Sequence, residues 1–183
     1  MFKDKIMKNE IIRDWIVPIS IAIIIGLLFS KFVAFRAVVP TPSMEPTIKV
    51  GDSIIATKVY NKGNLKRGDI LVFYSHELNA TLTKRLIGLP GDTVEVKEMG
   101  QVFINGVKLE EPYVVNSDDL MVNFQVPEDK YLFMGDNRQV SFDSRRWTEP
   151  YIDAKDIKGK ARFVLYPFKR FGKFVVGEEA LQH

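Results

Sequence analysis

The spacing of apolar positions changes once along this chain, and the change separates two kinds of structure. Trp15 to Ser30 is an uncharged run of 16 residues dominated by Ile, Val, Leu and Phe. That is short of the ~20 residues a helix needs to cross a bilayer. If Lys31 snorkels to headgroup level, Phe32-Val33-Ala34-Phe35 adds a turn and residues 15–35 become a 21-residue span, roughly 31 Å long at the helical rise. Pro18 is tolerated near the start of such a helix, and Trp15 suits a membrane interface.

From Val38 onward the apolar runs are short and separated by turn residues. Gly-Asp doublets recur at Gly51-Asp52, Gly68-Asp69, Gly91-Asp92 and Gly135-Asp136. The first three lead into β-type runs at Ile54-Ile55, Ile70-Leu71-Val72-Phe73 and Thr93-Val94-Glu95-Val96. Asn105-Gly106, set between Val102-Phe103-Ile104 and Val107-Lys108-Leu109, is a two-residue hairpin signal. No segment of helical length with a 3.6-residue period follows residue 40, so the pattern predicts a mainly β body, an antiparallel sheet folded over into an open barrel. The doublets read as turn chemistry rather than as catalytic acids. Tyr166 to Phe174 alternates aromatic with basic residues, which fits either a final strand with a solvated face or an interfacial patch at lipid headgroups.

Charge sharpens the division. Residues 1–37 hold six basic residues against three acidic ones, which accounts for the whole formal net charge of +3. The body is therefore charge-balanced, which argues for a membrane flank and against nucleic-acid binding. A basic start before an apolar run also describes a cleaved secretory signal. In Phe32-Val33-Ala34-Phe35-Arg36-Ala37, however, bulky Phe35 stands where an A-x-A cleavage site needs a small residue. A retained signal anchor is the better reading. Lys3, Lys5, Lys8 and Arg13 precede the span while Lys31 and Arg36 follow it. This bias predicts residues 1–14 as a cytoplasmic tail, 15–35 as a single-pass anchor in the cell membrane and 36–183 as an extracytoplasmic domain.

The chain has no cysteine and two histidines, His76 and His183. Thiol nucleophiles, disulfides and cysteine-ligated zinc are excluded, and no metal-loop or nucleotide-binding glycine motif appears, so no cofactor is expected. His76 sits in a polar, loop-like stretch, which disfavours a histidine-assisted triad. In Pro40-Thr41-Pro42-Ser43-Met44-Glu45-Pro46-Thr47 the prolines hold Ser43 in a stiff, non-helical loop, either as part of a rigid linker or as a positioned nucleophile. A base for it would have to be lysine. Alternation along Leu82-Thr83-Lys84-Arg85-Leu86-Ile87 sends Lys84 to the face of Leu82 and Leu86. A solvated lysine at pKa ≈ 10.4 is neutral about one time in a thousand near pH 7; apolar burial that lowered it to about 8 would cost roughly 3 kcal/mol.

Four stretches, in order, resemble the boxes of the type I signal peptidases: Pro42 to Thr47, Arg67 to Phe73, Lys84 to Asp92, and Gly135 to Arg145. The short interval between Asp92 and Gly135 is similar to the small, single-anchor form of Gram-positive bacteria. The resemblance implies a membrane-bound serine endopeptidase that removes signal peptides from exported preproteins after small residues of an A-x-A type. It makes Ser43 the nucleophile, Lys84 the general base, and Ser141 the residue that orients the Lys84 amine. The oxyanion donors would be the Ser43 N–H and the Thr41 hydroxyl, where Thr41-Pro42 departs from the serine or glycine common in the family. Asp143 and Arg145, with Arg85 nearby, would form a buried charge network. Val39, Pro40 and Met44 would wall the substrate site, with Thr81 and Thr83 on an edge that pairs with extended substrate. Two alternatives remain: a self-cleaving Ser/Lys repressor-type protein, whose DNA-binding domain would occupy the place of the span, and a catalytically silent membrane-tethered binding module.

Overall fold

The computed structural model describes residues 12–172 and 174. The chain falls into two units, Met1–Phe35 and Arg36–His183. In the first, one π-type turn at Ile12–Ile16 runs directly into helix α1, Val17–Phe32, whose second residue is Pro18. Together they form a 21-residue helix, long and apolar enough to cross a membrane, whose side chains are all exposed. It starts earlier and stops earlier than the expected 15–35. Val33 caps it through an N–H bond to Phe29 O of 2.7 Å, and at Ala34 the backbone is already extended. Most of the 1–14 segment, residues 1–11, lies outside the described residues.

Among the described residues, those from Ala34 on form two sheets, mainly antiparallel. In chain order the strands are β1 (Ala34–Val38), β2 (Ser53–Lys58), β3 (Ile70–Ser75), β4 (Ala80–Gly88), β5 (Thr93–Val96), β6 (Val102–Ile104), β7 (Val107–Lys108), β8 (Val122–Gln125), β9 (Lys130–Met134), β10 (Tyr151–Asp153) and β11 (Ile157–Tyr166). The large sheet has the order β1-β2-β11-β3-β4-β9-β10 and the small one β7-β6-β5-β8. The β3–β4 hairpin sets Leu71 opposite Lys84 and Ile70 opposite Arg85. Asn105 and Gly106, both at positive φ, close the β6–β7 hairpin as the dipeptide predicts. Gly51, Gly68 and Gly91 also take positive φ ahead of β2, β3 and β5, so these doublets are turn chemistry.

Two apolar clusters stand out among the described residues. Leu65, Leu71, Phe73, Leu86, Tyr131, Phe133, Trp147, Ile152 and Ile157 form one, with Phe73 stacked on Phe133 at 4.2 Å. Ile87, Val94, Val96, Val102, Ile104, Phe124, Val126, Leu132 and Met134 form the other. Strand β4 feeds both. Its pairing with β9 shifts register between Leu86 and Gly88, and a Cβ at Gly88 would lie 2.8–3.0 Å from Val126, Leu132 and Val94. Only glycine lets the two sheets approach there.

The final strand ends at Tyr166, earlier than an uninterrupted strand through Phe174 would require. Pro167 has no N–H to continue the ladder. The chain makes a short 3-10 turn at Phe168–Arg170 and returns so that Gly172 pairs with Val164. Tyr166, Phe168 and Phe171 are left exposed on this turn.

Candidate active site

Ser43 sits in a single 3-10 turn, Pro42–Met44, in place of the non-helical loop that the prolines suggest. Proline at the first position of such a turn is already at the required φ, and Thr41 and Glu45 on either side are extended. The turn is fastened from below: the Ser43 carbonyl accepts from Asn137 N at 3.1 Å, and the Thr41 and Ser43 hydroxyls lie 3.2 Å apart.

Lys84 projects from β4 and is 4% exposed. Its Nζ donates to Ser141 Oγ at 3.1 Å. Burial pushes the amine down from 10.5 to about 8, against the opposing pull of Asp143 and with help from Arg145. Ser141 is wholly buried, and its hydroxyl helps hold the neighbouring Asp143 carboxyl low. Burial raises the Asp143 pKa, but the hydrogen bonds and charge of Arg145 outweigh it and hold the carboxyl below the usual range. Among the described residues no direct hydrogen bond joins Lys84 Nζ to Ser43 Oγ; the two groups face a common cleft.

That cleft, of about 270 Å³, is lined on one side by Ala37 to Thr41 and Ser43 and on the other by Val72 and Thr81 to Lys84. Val39, Pro40, Thr41, Thr81 and Thr83 are therefore at the site. Met44 is not. The 3-10 turn directs it inward, where it has no exposed surface, and Ala37, Val38, Val72 and Leu82 supply the apolar lining in its place. Pairing of β4 with β9 begins only at Arg85, so the Ala80–Lys84 stretch of β4 is paired on the β3 side alone among the described residues.

The charged residues form two groups. Asp143 binds Arg145 through both carboxylate oxygens and accepts from Gly135 N at 2.9 Å. Arg85 does not join them. It forks onto Asp136 at 2.8 and 2.6 Å and donates to the Gly68 carbonyl. The reason is strand alternation: Arg85 leaves β4 on the face opposite Lys84. Asp136 also accepts from the Thr47 hydroxyl at 2.6 Å, tying the Ser43 loop to this second pair. Gly135 is the other residue not picked out beforehand. A Cβ there would collide with Ser141 Oγ and the Ser43 carbonyl. The signal was present: Gly135-Asp136 alone of the four doublets leads into Asn137-Arg138 and not into a β run. His76 contacts Asp156 at 3.1 Å beside a different cleft, and His183 lies outside the described residues.

The family described as "Signal peptidase, peptidase S26" matches residues 12–166. Signal peptidase I P of Bacillus subtilis subsp. natto is 40% identical over 186 aligned residues, which cover 94% of this chain and 99% of that protein. Signal peptidase IB of Staphylococcus aureus strain COL is 36% identical, covering 90% and 94%. A solved signal peptidase I from Enterococcus faecalis V583 is 33% identical, covering 53% of this chain and 96% of that one, with a TM-score of 0.45. Since the match runs from the apolar helix to the end of the last strand, and the relatives are covered almost end to end, the chain belongs to the type I signal peptidase family.

Proposed function

We propose that this chain is a membrane-anchored Ser/Lys endopeptidase that releases exported preproteins by cutting after a small residue of an A-x-A-like signal. The observation that carries this reading is Lys84: an amine at a pKa of about 8, stripped of water and aimed by Ser141 into the cleft that holds Ser43. Relative to a lysine at 10.5, the neutral fraction near pH 7 rises roughly 300-fold. The Ser43 hydroxyl turns from Thr41 toward Lys84 as substrate docks, because catalytic hydrogen bonds tighten in the complex. Lys84 takes the Ser43 proton while Oγ bonds to the scissile carbonyl carbon. The resulting ammonium then protonates the leaving amine, which departs and leaves an acyl-enzyme. Water, deprotonated by the same amine, attacks the ester and restores Ser43. The Ser43 N–H and the Thr41 hydroxyl receive the oxyanion, each donor being worth a few kcal/mol.

An extended substrate strand fits between residues 37–41 and the unpaired β4 edge, with main-chain bonds giving affinity and the apolar lining selecting small side chains. Asp143–Arg145 and Arg85–Asp136 are structural supports. The helix Ile12–Phe32 is the anchor; the basic bias puts the segment before it in the cytoplasm and the domain from Arg36 on the outer face. Tethering raises the effective concentration of signal peptides lying in the same bilayer. The exposed Tyr166, Phe168 and Phe171, beside Lys169, form a lipid-facing turn. Incubating the purified chain with a preprotein tests the mechanism: Ser43→Ala and Lys84→Ala lose at least 10³-fold in kcat. Equal cleavage by all three proteins removes it, and cleavage by none assigns a silent binding module.

A further inference from the structure

The connection from β7 to β8 carries side chains that grip the loop bearing Ser141. Asn116 bridges to Asn137, and its carbonyl accepts from Gln139 N at 3.3 Å. Asp118 takes Arg145 Nη1 on both oxygens, at 2.7 and 2.8 Å, and Arg146 Nη2 at 3.0 Å. Two residues earlier in this strap reach further in. Glu111 accepts from Arg138 Nη2 at 2.5 Å and from the Tyr113 hydroxyl at 2.8 Å. The Tyr113 ring lies under the Arg85 guanidinium, 3.8 Å from its centroid.

Arg138 is the link to the chemistry. Its side chain is 1% exposed, and among the described residues Glu111 is its only salt-bridge partner. Its Nε donates to the Gly135 carbonyl at 3.0 Å, while Nη1 has no partner. Gly135 carries no side chain that could take up a shift, and its Cα packs directly against Ser141 Oγ and the Ser43 carbonyl. Two residues on, Asn137 N holds that same Ser43 carbonyl. A displacement of Arg138 therefore passes to both serines through backbone.

We infer that Glu111, braced by Tyr113, is a positioning residue for the reaction at Ser43, acting through Arg138 on the Gly135–Asn137 backbone. The inference rests on the reading of Ser43 as the nucleophile. Replacing the Glu111 carboxylate by an amide leaves a buried guanidinium without its counter-charge, and a guanidinium in that position moves toward another acceptor. The Gly135 carbonyl loses its donor and the Ser43–Ser141 spacing relaxes. A misplacement on the order of 1 Å costs up to about 100-fold in rate. The cleft walls at residues 37–40 and 81–83, against which substrate docks, take no part in this chain of contacts.

The experiment measures kcat and KM separately on the full chain in phospholipid-detergent micelles, with a peptide carrying an A-x-A cleavage site. Glu111→Gln is expected to lower kcat about 10- to 100-fold with KM changed less than about twofold. Adding Arg138→Met to that variant is expected to cause no further loss, since both act on one carbonyl. An unchanged kcat, a change confined to KM, or multiplicative losses in the double variant overturns the inference. If Glu111→Gln does not fold, Tyr113→Phe, which removes only one hydrogen bond to the same carboxylate, decides: a lowered kcat supports the inference and an unchanged one ends it. Ser43→Ala is measured alongside. Full activity in that variant refutes the nucleophile assignment itself, whereas an inactive Ser43→Ala beside a fully active Glu111→Gln refutes only the role of Glu111.

Discussion

Replacing Lys84 by methionine should destroy activity and stabilise the fold. A lysine whose folded pKa is about 8 against 10.5 when exposed is an ammonium in both states below pH 8, and the folded state bears the whole cost of desolvating it. The difference of 2.5 pKa units corresponds to about 3 kcal/mol. Between pH 8 and 10.5 the folded chain releases this proton while the unfolded chain keeps it, so the contribution of Lys84 to stability rises with pH across that window. Above it the amine is neutral in both states. Methionine has a similar length and no charge. Lys84→Met is thus expected to gain about 3 kcal/mol at pH 7, or about 6–12 °C in Tm for a domain of this size. The gain should shrink as pH rises from 8 toward 10.5. Thermal melts of both proteins in the same detergent, followed through the fluorescence of buried Trp147, give the difference at each pH, and shared titrations cancel. A variant no more stable than the parent at pH 7, or a gain unchanged at high pH, would refute the claim that Lys84 is desolvated at a cost.

The same pKa sets the activity profile: kcat/KM should climb with pH to a half-maximum near 8, and a climb only near 10.5 would remove the amine as base. Gly135→Ala should cost at least 10²-fold in kcat, because the methyl collides with Ser141 and the Ser43 carbonyl; steady-state kinetics at wild-type stability checks it. Asp143→Asn removes one buried partner of Arg145 and should destabilise by about 3–5 kcal/mol at pH 7. As the Asp143 pKa is lowered by folding, its stabilisation is complete above the unfolded value of about 3.9 and fades below it, so melts of parent and variant should converge in acid. Substituting serine at Phe168 and Phe171 should weaken binding of the catalytic unit to anionic vesicles by about 3 kcal/mol or more; unchanged flotation would place the lipid contact elsewhere.

Much of this protein could be read from its residues in a line. An uncharged apolar run has few ways to satisfy its backbone except as a helix, and Gly-Asp and Asn-Gly doublets restrict the backbone locally, so α1 and the strands β2, β3 and β5 to β7 were legible. Alternation within β4 also sufficed to send Lys84 and Arg85 to opposite faces. What no local pattern carries is which distant segment meets which. Arg85 finds Asp136, 51 residues away, rather than Asp143; Met44 turns into the interior and yields its place at the cleft to Val72 and Leu82; Glu111 reaches Arg138 from the β7–β8 connection. Desolvation belongs to the same class. A lysine becomes a base at neutral pH only when the surrounding chain has excluded water from it, and that environment is assembled from strands and loops far apart in sequence.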